Sequence, residues 1–198
     1  MIYMNKFLSN LLFYALLILL FIGCANKEKR TVTSVILFEE DNRDWMQGGD
    51  ATWQFQDVEI IGIADSTGGF LMTNDKFKDF ELILEFFPDS TINSGVFVRC
   101  SKQELSADEC FEINIWDNHP NQNFRTGAIV KRTNPKVYVE TIGKWNTYKI
   151  RCEENQVQAW VNDQLTAEIE GDQAEGYVGL QAAGSGTIKF RNVELRKL

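Results

Sequence analysis

From Val35 onward apolar and polar residues alternate with a period of two, and turn residues interrupt the alternation often. No stretch of useful length carries a helical period. The alternation predicts strands over residues 53–56, 59–63, 70–73, 80–87, 94–101, 110–116, 127–132, 137–140, 146–153, 156–161, 165–169, 177–182 and 187–195. Asn-Asp, Gly-Gly and Pro-Asp pairs separate these runs, and Asn162 with Asp163 is a natural hairpin turn. Many short strands at this spacing predict an all-β domain, a sandwich of two antiparallel sheets. Residues 101–109 could hold one or two helical turns, and residues 25–33 lack periodicity and read as a linker.

Alternation also assigns faces. In VFVRC, Val96, Val98 and Cys100 fall on one side and Gly95, Phe97 and Arg99 on the other. In FEINIWD, Phe111, Ile113 and Ile115 oppose Glu112, Asn114 and Trp116. The first set of each strand is core, and Ile150 and Phe190 are expected to join it. The second sets place a cation, an anion, an amide and large aromatics together. A sugar site needs flat aromatics for the C–H face of a pyranose and planar groups for its hydroxyls. Trp116 and Phe97 suit the first task; Arg99, Glu112 and Asn114 suit the second. The same residues would equally make an exposed sheet face with an Arg–Glu cross-strand pair.

The N-terminus carries a different pattern. Lys6 precedes twelve unbroken apolar residues, Leu11 to Ile22, followed by Gly23 and Cys24. A hydrocarbon core takes about 20 apolar residues in a helix, so this run is short for a span and suits a cleaved secretory signal over residues 1–23. An uncleaved anchor is the alternative. FIGC resembles the lipobox of bacterial lipoproteins, which implies acylation of Cys24, a membrane tether through that lipid, and a location at the cell envelope, outer membrane favoured. The domain of residues 35–198 would then lie in the periplasm or at the cell surface, after a linker over 24–34.

The net charge of −8 includes the single positive Lys6 of the leader, so the remainder carries −9. An acidic domain repels phosphate backbones, which argues against nucleic acid as a partner. Beyond Cys24 stand Cys100, Cys110 and Cys152. Cys100 and Cys110 flank a short polar segment and could bridge across a loop; equally, all three could be small buried apolar residues. No spacing resembles a metal site, and none calls for a cofactor.

Six ordered motifs then stand out: NSGVFVR (93–99), FEINIWD (111–117), RTGAIV (125–130), GKWNTYKI (143–150), WVND (160–163) and GYVGLQ…IKFRNVEL (176–195). Together with ILFEEDNRDW and ATWQFQDVEIIG upstream, they resemble the 3-keto-disaccharide hydrolase domain family across residues 35–198. The resemblance implies a concanavalin A-like lectin/glucanase jelly roll and action on glycosides already oxidised at C3. Such chemistry needs a base for the acidified C2 proton and a donor for the resulting oxyanion. By motif, Glu112 is the candidate base, Arg99 the oxyanion holder, and Asn93 and Asn114 the hydroxyl readers. Asp117 and His119 sit in a rim loop, where Asp117 could orient the only histidine of the chain, although a solvated loop histidine is the plainer reading. Arg125 could close over a ligand or be a surface charge, and Gln181 of the GLQ motif joins the candidate contacts. Many family members carry a histidine shortly after GLQ; here that stretch is AAGSG (182–186). Two classes of function therefore remain: a glycoside-cleaving enzyme, or a non-catalytic carbohydrate-binding protein on the same sandwich.

Overall fold

In the computed structural model, residues 34–37 and 44–198 are described; the leader, Cys24 and linker residues 25–33 lie outside them, and Ser34, expected to end the linker, begins the first strand. Among the described residues twelve strands form: β1 (Ser34–Ile36), β2 (Trp45–Gly49), β3 (Thr52–Gln56), β4 (Glu59–Asp65), β5 (Gly69–Thr73), β6 (Phe80–Pro88), β7 (Ile92–Cys100), β8 (Phe111–Ile115), β9 (Asn146–Glu153), β10 (Gln156–Val161), β11 (Gln164–Glu170) and β12 (Tyr177–Lys197). Every pairing between them is antiparallel. The larger sheet runs β11-β10-β9-β6-β12-β4-β3, with β1 beside the end of β12. The smaller runs β2-β5-β12-β7-β8.

Strand β12 belongs to both sheets. Residues 177–184 pair with β5 and β7, and residues 185–197 pair with β4 and β6. Gly184 (φ 71°) and Gly186 (φ 145°) stand at the change, in backbone conformations that side chains of other residues resist. The two strands expected over 177–182 and 187–195 are therefore one strand turned at a glycine corner. Asn162 (φ 48°) and Asp163 (φ 63°) form the expected hairpin turn between β10 and β11.

The inner faces of the two sheets meet in one core. Val96, Val98, Ile113, Ile115, Ile150 and Phe190 are all fully buried in it, as alternation predicts. Residues 127–132 and 137–140 are not strands. Segment 124–133 does line the free edge of β8, with Asn114 N–H donating to Ala128 O and Val130 N–H to Glu112 O. Positive φ at Gly127 and Lys131 breaks the ladder into isolated bridges. Strands β1 and β2 were not expected from the alternation, and residues 101–109 make turns in place of a helix. Cys100 and Cys110 form a disulfide, while Cys152 is free and its burial pushes the thiol up to about 12.

Candidate functional site

The outer face of the smaller sheet brings most of the candidate residues together, and register shows how. One row across the strands reads Gly48 (β2), Phe70 (β5), Gln181 (β12), Gly95 (β7), Asn114 (β8). The adjacent row reads Met46, Met72, Gly179, Phe97, Glu112. Two glycines clear the first row. A Cβ at Gly48 would stand 2.4 Å from Cζ of Phe70, so the tip of that ring reaches over β2. A Cβ at Gly95 would meet the Phe97 ring at 3.4 Å and Glu112 Cγ at 3.5 Å, so the floor there is bare backbone edged by those two side chains.

Gln181 and Asn114 flank that floor. Strands in a sheet lie about 4.8 Å apart, so their Cα atoms, with β7 between them, are separated by about 10 Å. This is comparable with a sugar ring and its hydroxyls. Both amide oxygens are buried and without a hydrogen-bond partner among the described residues. Unsatisfied acceptors in a dry place are costly unless a ligand or water donates to them. The Asn114 amide is aimed by its own bond, Nδ2 donating to Phe124 O. Its backbone carbonyl accepts from the buried Tyr148 hydroxyl at 2.7 Å, a β9 side chain reaching from the other sheet.

Glu112 stands beside Phe97 on this face, half-buried. Loss of water around it raises its pKa from 4.5 to about 7, against the opposing pull of the Lys131 ammonium. A carboxyl poised near neutrality can both take and return a proton at physiological pH. Beyond the end of β8, Trp116 packs edge-on against His119 with centroids 4.4 Å apart, and His119 against Phe124 at 5.7 Å. His119 Nδ1 accepts from Asn121 N–H at 2.9 Å, which leaves Nε2 without a partner among the described residues. Asn93 is half-buried on β7, opposite Ala183 and next beyond Gly95 on the same side.

Four candidates take other places. Phe97, expected to face a sugar ring, is fully buried in a small apolar cluster with Met72, Cys100 and Cys110, with Leu105 packed against it. Arg99 has φ 53°, and the β7–β12 register slips beside it, between Tyr177 and Gly179. This bulge reverses the alternation, because one extra residue turns the next side chain over. Cys100 therefore joins Phe97 and Met72 on the outer face, whereas Arg99 sinks fully into the fold. Its guanidinium donates to the carbonyls of Glu154, Gln173 and Lys78 and pairs with Asp79 at 3.5 Å. The expected oxyanion holder is thus a structural cation away from the face. Asp117 accepts from the Thr141 N–H (2.6 Å), the Thr141 hydroxyl (2.9 Å) and the Ile142 N–H (3.3 Å), so it ties down the segment before β9 and does not orient His119. Arg125 is buried against Val139 O and Glu140 Oε1 and stacks on Tyr138, which makes it neither a lid nor a free surface charge.

Phe70 and Met72 on this face were missed by motif reading. They come from a strand distant in sequence, and only register carries them to Gln181 and Gly179. No group of three or more metal-ligating side chains occurs among the described residues.

A family model for the 3-keto-alpha-glucoside-1,2-lyase-like domain matches residues 33–196. The chain belongs to this family. A candidate glycosyl hydrolase from Parabacteroides distasonis ATCC 8503 shares its fold at 23% identity and a TM-score of 0.71, covering 84% of this chain and 100% of that one. A second candidate glycosyl hydrolase from that organism gives 20% identity and a TM-score of 0.73, with 88% and 98% covered. The carbohydrate-binding module CBM66 from Bacillus subtilis gives 18% and 0.60, with 76% and 94% covered. No curated protein matches the chain. The family and the fold together make this domain a concanavalin A-like jelly roll of carbohydrate-active type.

Proposed function

We propose that this domain cleaves 3-keto-glycosides on the outer face of its smaller sheet, with Glu112 as the base. The observation that carries the reading is a desolvated carboxyl with its pKa raised to about 7, on the same sheet face as two buried, unpaired amide oxygens. The amides of Asn114 and Gln181 accept from sugar hydroxyls, and Phe70 and Trp116 supply apolar surface. Glu112 takes the proton at C2, which the C3 ketone has acidified, and the C–H electron pair becomes an enediolate. That charge returns to form the C1–C2 double bond while the C1–O bond breaks, and the aglycone leaves as an alcohol after gaining a proton. Water then adds across the double bond, its hydroxyl to C1 and a proton to C2. With Arg99 sunk in the fold, the donors left for the enediolate are the Gln181 amide, His119 and the Lys131 ammonium beside Glu112.

The withdrawal of Arg99 also favours a second reading, sugar binding without turnover, and the shared fold with a carbohydrate-binding module is compatible with it. Incubating the domain with a 3-keto-glucoside and following the freed aglycone by mass separates the two. Release that falls about 10²–10⁴-fold in Glu112→Gln, the usual contribution of a general base, supports cleavage. Binding with no release by the wild type selects the second reading.

A further inference from the structure

Just before β8, Cys110 precedes Glu112 by two residues and lies on the same face, and the bulge at Arg99 brings Cys100 there too. Their bridge, with Cα atoms 4.2 Å apart, closes residues 101–109 into a loop at one end of the face. The loop does not hang free. Gln103 Nε2 donates to Thr73 O at the end of β5, and Arg132 donates to the carbonyls of Ala107, Asp108 and Cys110. It is thereby pinned on both sides of β12 and β7. Between these pins Leu105 packs with Met72, Phe97, Cys100 and Cys110, and fills the space left by Gly179, where a Cβ would meet it at 3.0 Å. The result is a small second apolar cluster outside the main core, laid over the row that ends in Glu112.

We infer that this bridged loop is a positioning element for Glu112: the cystine and Leu105 wall off one side of the carboxyl from water. The inference rests on the proposed role of Glu112 and adds to it the structure that tunes the base. The charges around Glu112 agree with this. Lys131 is the cation acting on it, and Lys131 is itself held by Asp108 of the loop at 3.2 Å. Arg132 is engaged by the loop carbonyls and stacks on Phe111, while Glu109 pairs with Lys102 and accepts from Ser101. The facing residue on β7 is Phe97, which does not titrate. By register Glu112 has Phe97 across the strands and Cys110 two residues before it, and charge alone would push its proton affinity down.

The test needs no substrate. Carboxyl carbon-13 NMR follows the titration of Glu112 in the wild type, in Leu105→Ala and in the bridge-free Cys100→Ala/Cys110→Ala variant, assigned by the signal lost in Glu112→Gln. The wild type should titrate near 7. Both loop variants should shift by about one unit or more toward the ordinary glutamate value of about 4.3. The same shift in a Lys131→Met background excludes an effect of a freed ammonium group. Should the bridge-free chain fail to fold, Leu105→Ala, whose strand signal is checked by circular dichroism, decides alone. A midpoint that stays near 7 in the folded loop variants overturns the inference and leaves Glu112 as the proposed base. A wild-type midpoint near 4.3 overturns both.

Discussion

Arg99 and Glu112 sit on neighbouring strands of one sheet, and alternation would pair them across its outer face. The fold treats them in opposite ways. Arg99 passes through a bulge into a pocket of three carbonyls and one carboxylate, so that its charge and most of its donors are answered within the chain. Glu112 stays on the face, loses much of its water, and shares the face with two amides whose oxygens nothing in the described chain answers. A buried polar group that is satisfied serves stability, and one left unsatisfied is held ready for something else. That contrast separates the structural cation from the candidate base more sharply than motif order does.

The contrast predicts unequal consequences for mutation. Arg99→Ala should be the most damaging, costing about 3–5 kcal/mol, because three carbonyls and the Asp79 carboxylate lose a buried partner at once. Urea unfolding measures this, and a loss below about 1 kcal/mol would return Arg99 to the list of residues free to serve a ligand. Glu112→Gln should do the reverse. The folded-state pKa of Glu112 is raised, so the fold holds its proton more tightly than the unfolded chain does. Its stabilising contribution is full below about 4.5 and is lost as pH rises through about 7. At pH 8 the glutamine variant should therefore be more stable than the wild type by up to about 3 kcal/mol, and at pH 4 the two should match. Equal stability at both pH values would mean that the carboxyl is fully hydrated. The smallest effect is expected at the rim: Trp116→Ala should leave stability nearly unchanged and weaken sugar binding by about 1 kcal/mol, the worth of a lost stacking surface. Calorimetric titration with a 3-keto-glucoside reads this directly.

Much of this molecule was legible in the chain. Period-two alternation gave the core residues Val96, Ile113 and Phe190 and the direction of Glu112 and Asn114, because a strand with one buried face leaves its partners no other register. The fate of Arg99 was not legible. Nothing in VFVRC marks a left-handed arginine; the cause lies elsewhere, at Gly176, where a Cβ would stand 2.3 Å from the Arg99 carbonyl carbon. A glycine distant in sequence admits the bulge, and the bulge reverses a face. Asp117 misleads for a related reason. Next to a histidine in sequence, it looks like an orienting carboxylate, yet its oxygens are taken by the Thr141 and Ile142 segment 24 residues away. The cover over Met72 was equally hidden, since the polar run SKQELSADE offers a single leucine as its anchor.

The central claim is that Glu112 removes the proton at C2 of a 3-keto-sugar. Proton NMR of a 3-keto-glucoside in heavy water, with the protein present, watches that step alone. The wild type should exchange the C2 hydrogen for deuterium, and Glu112→Gln should slow the exchange by about 10²-fold or more while still binding the sugar. Exchange at the wild-type rate in Glu112→Gln, or none by a wild type that binds, would contradict it.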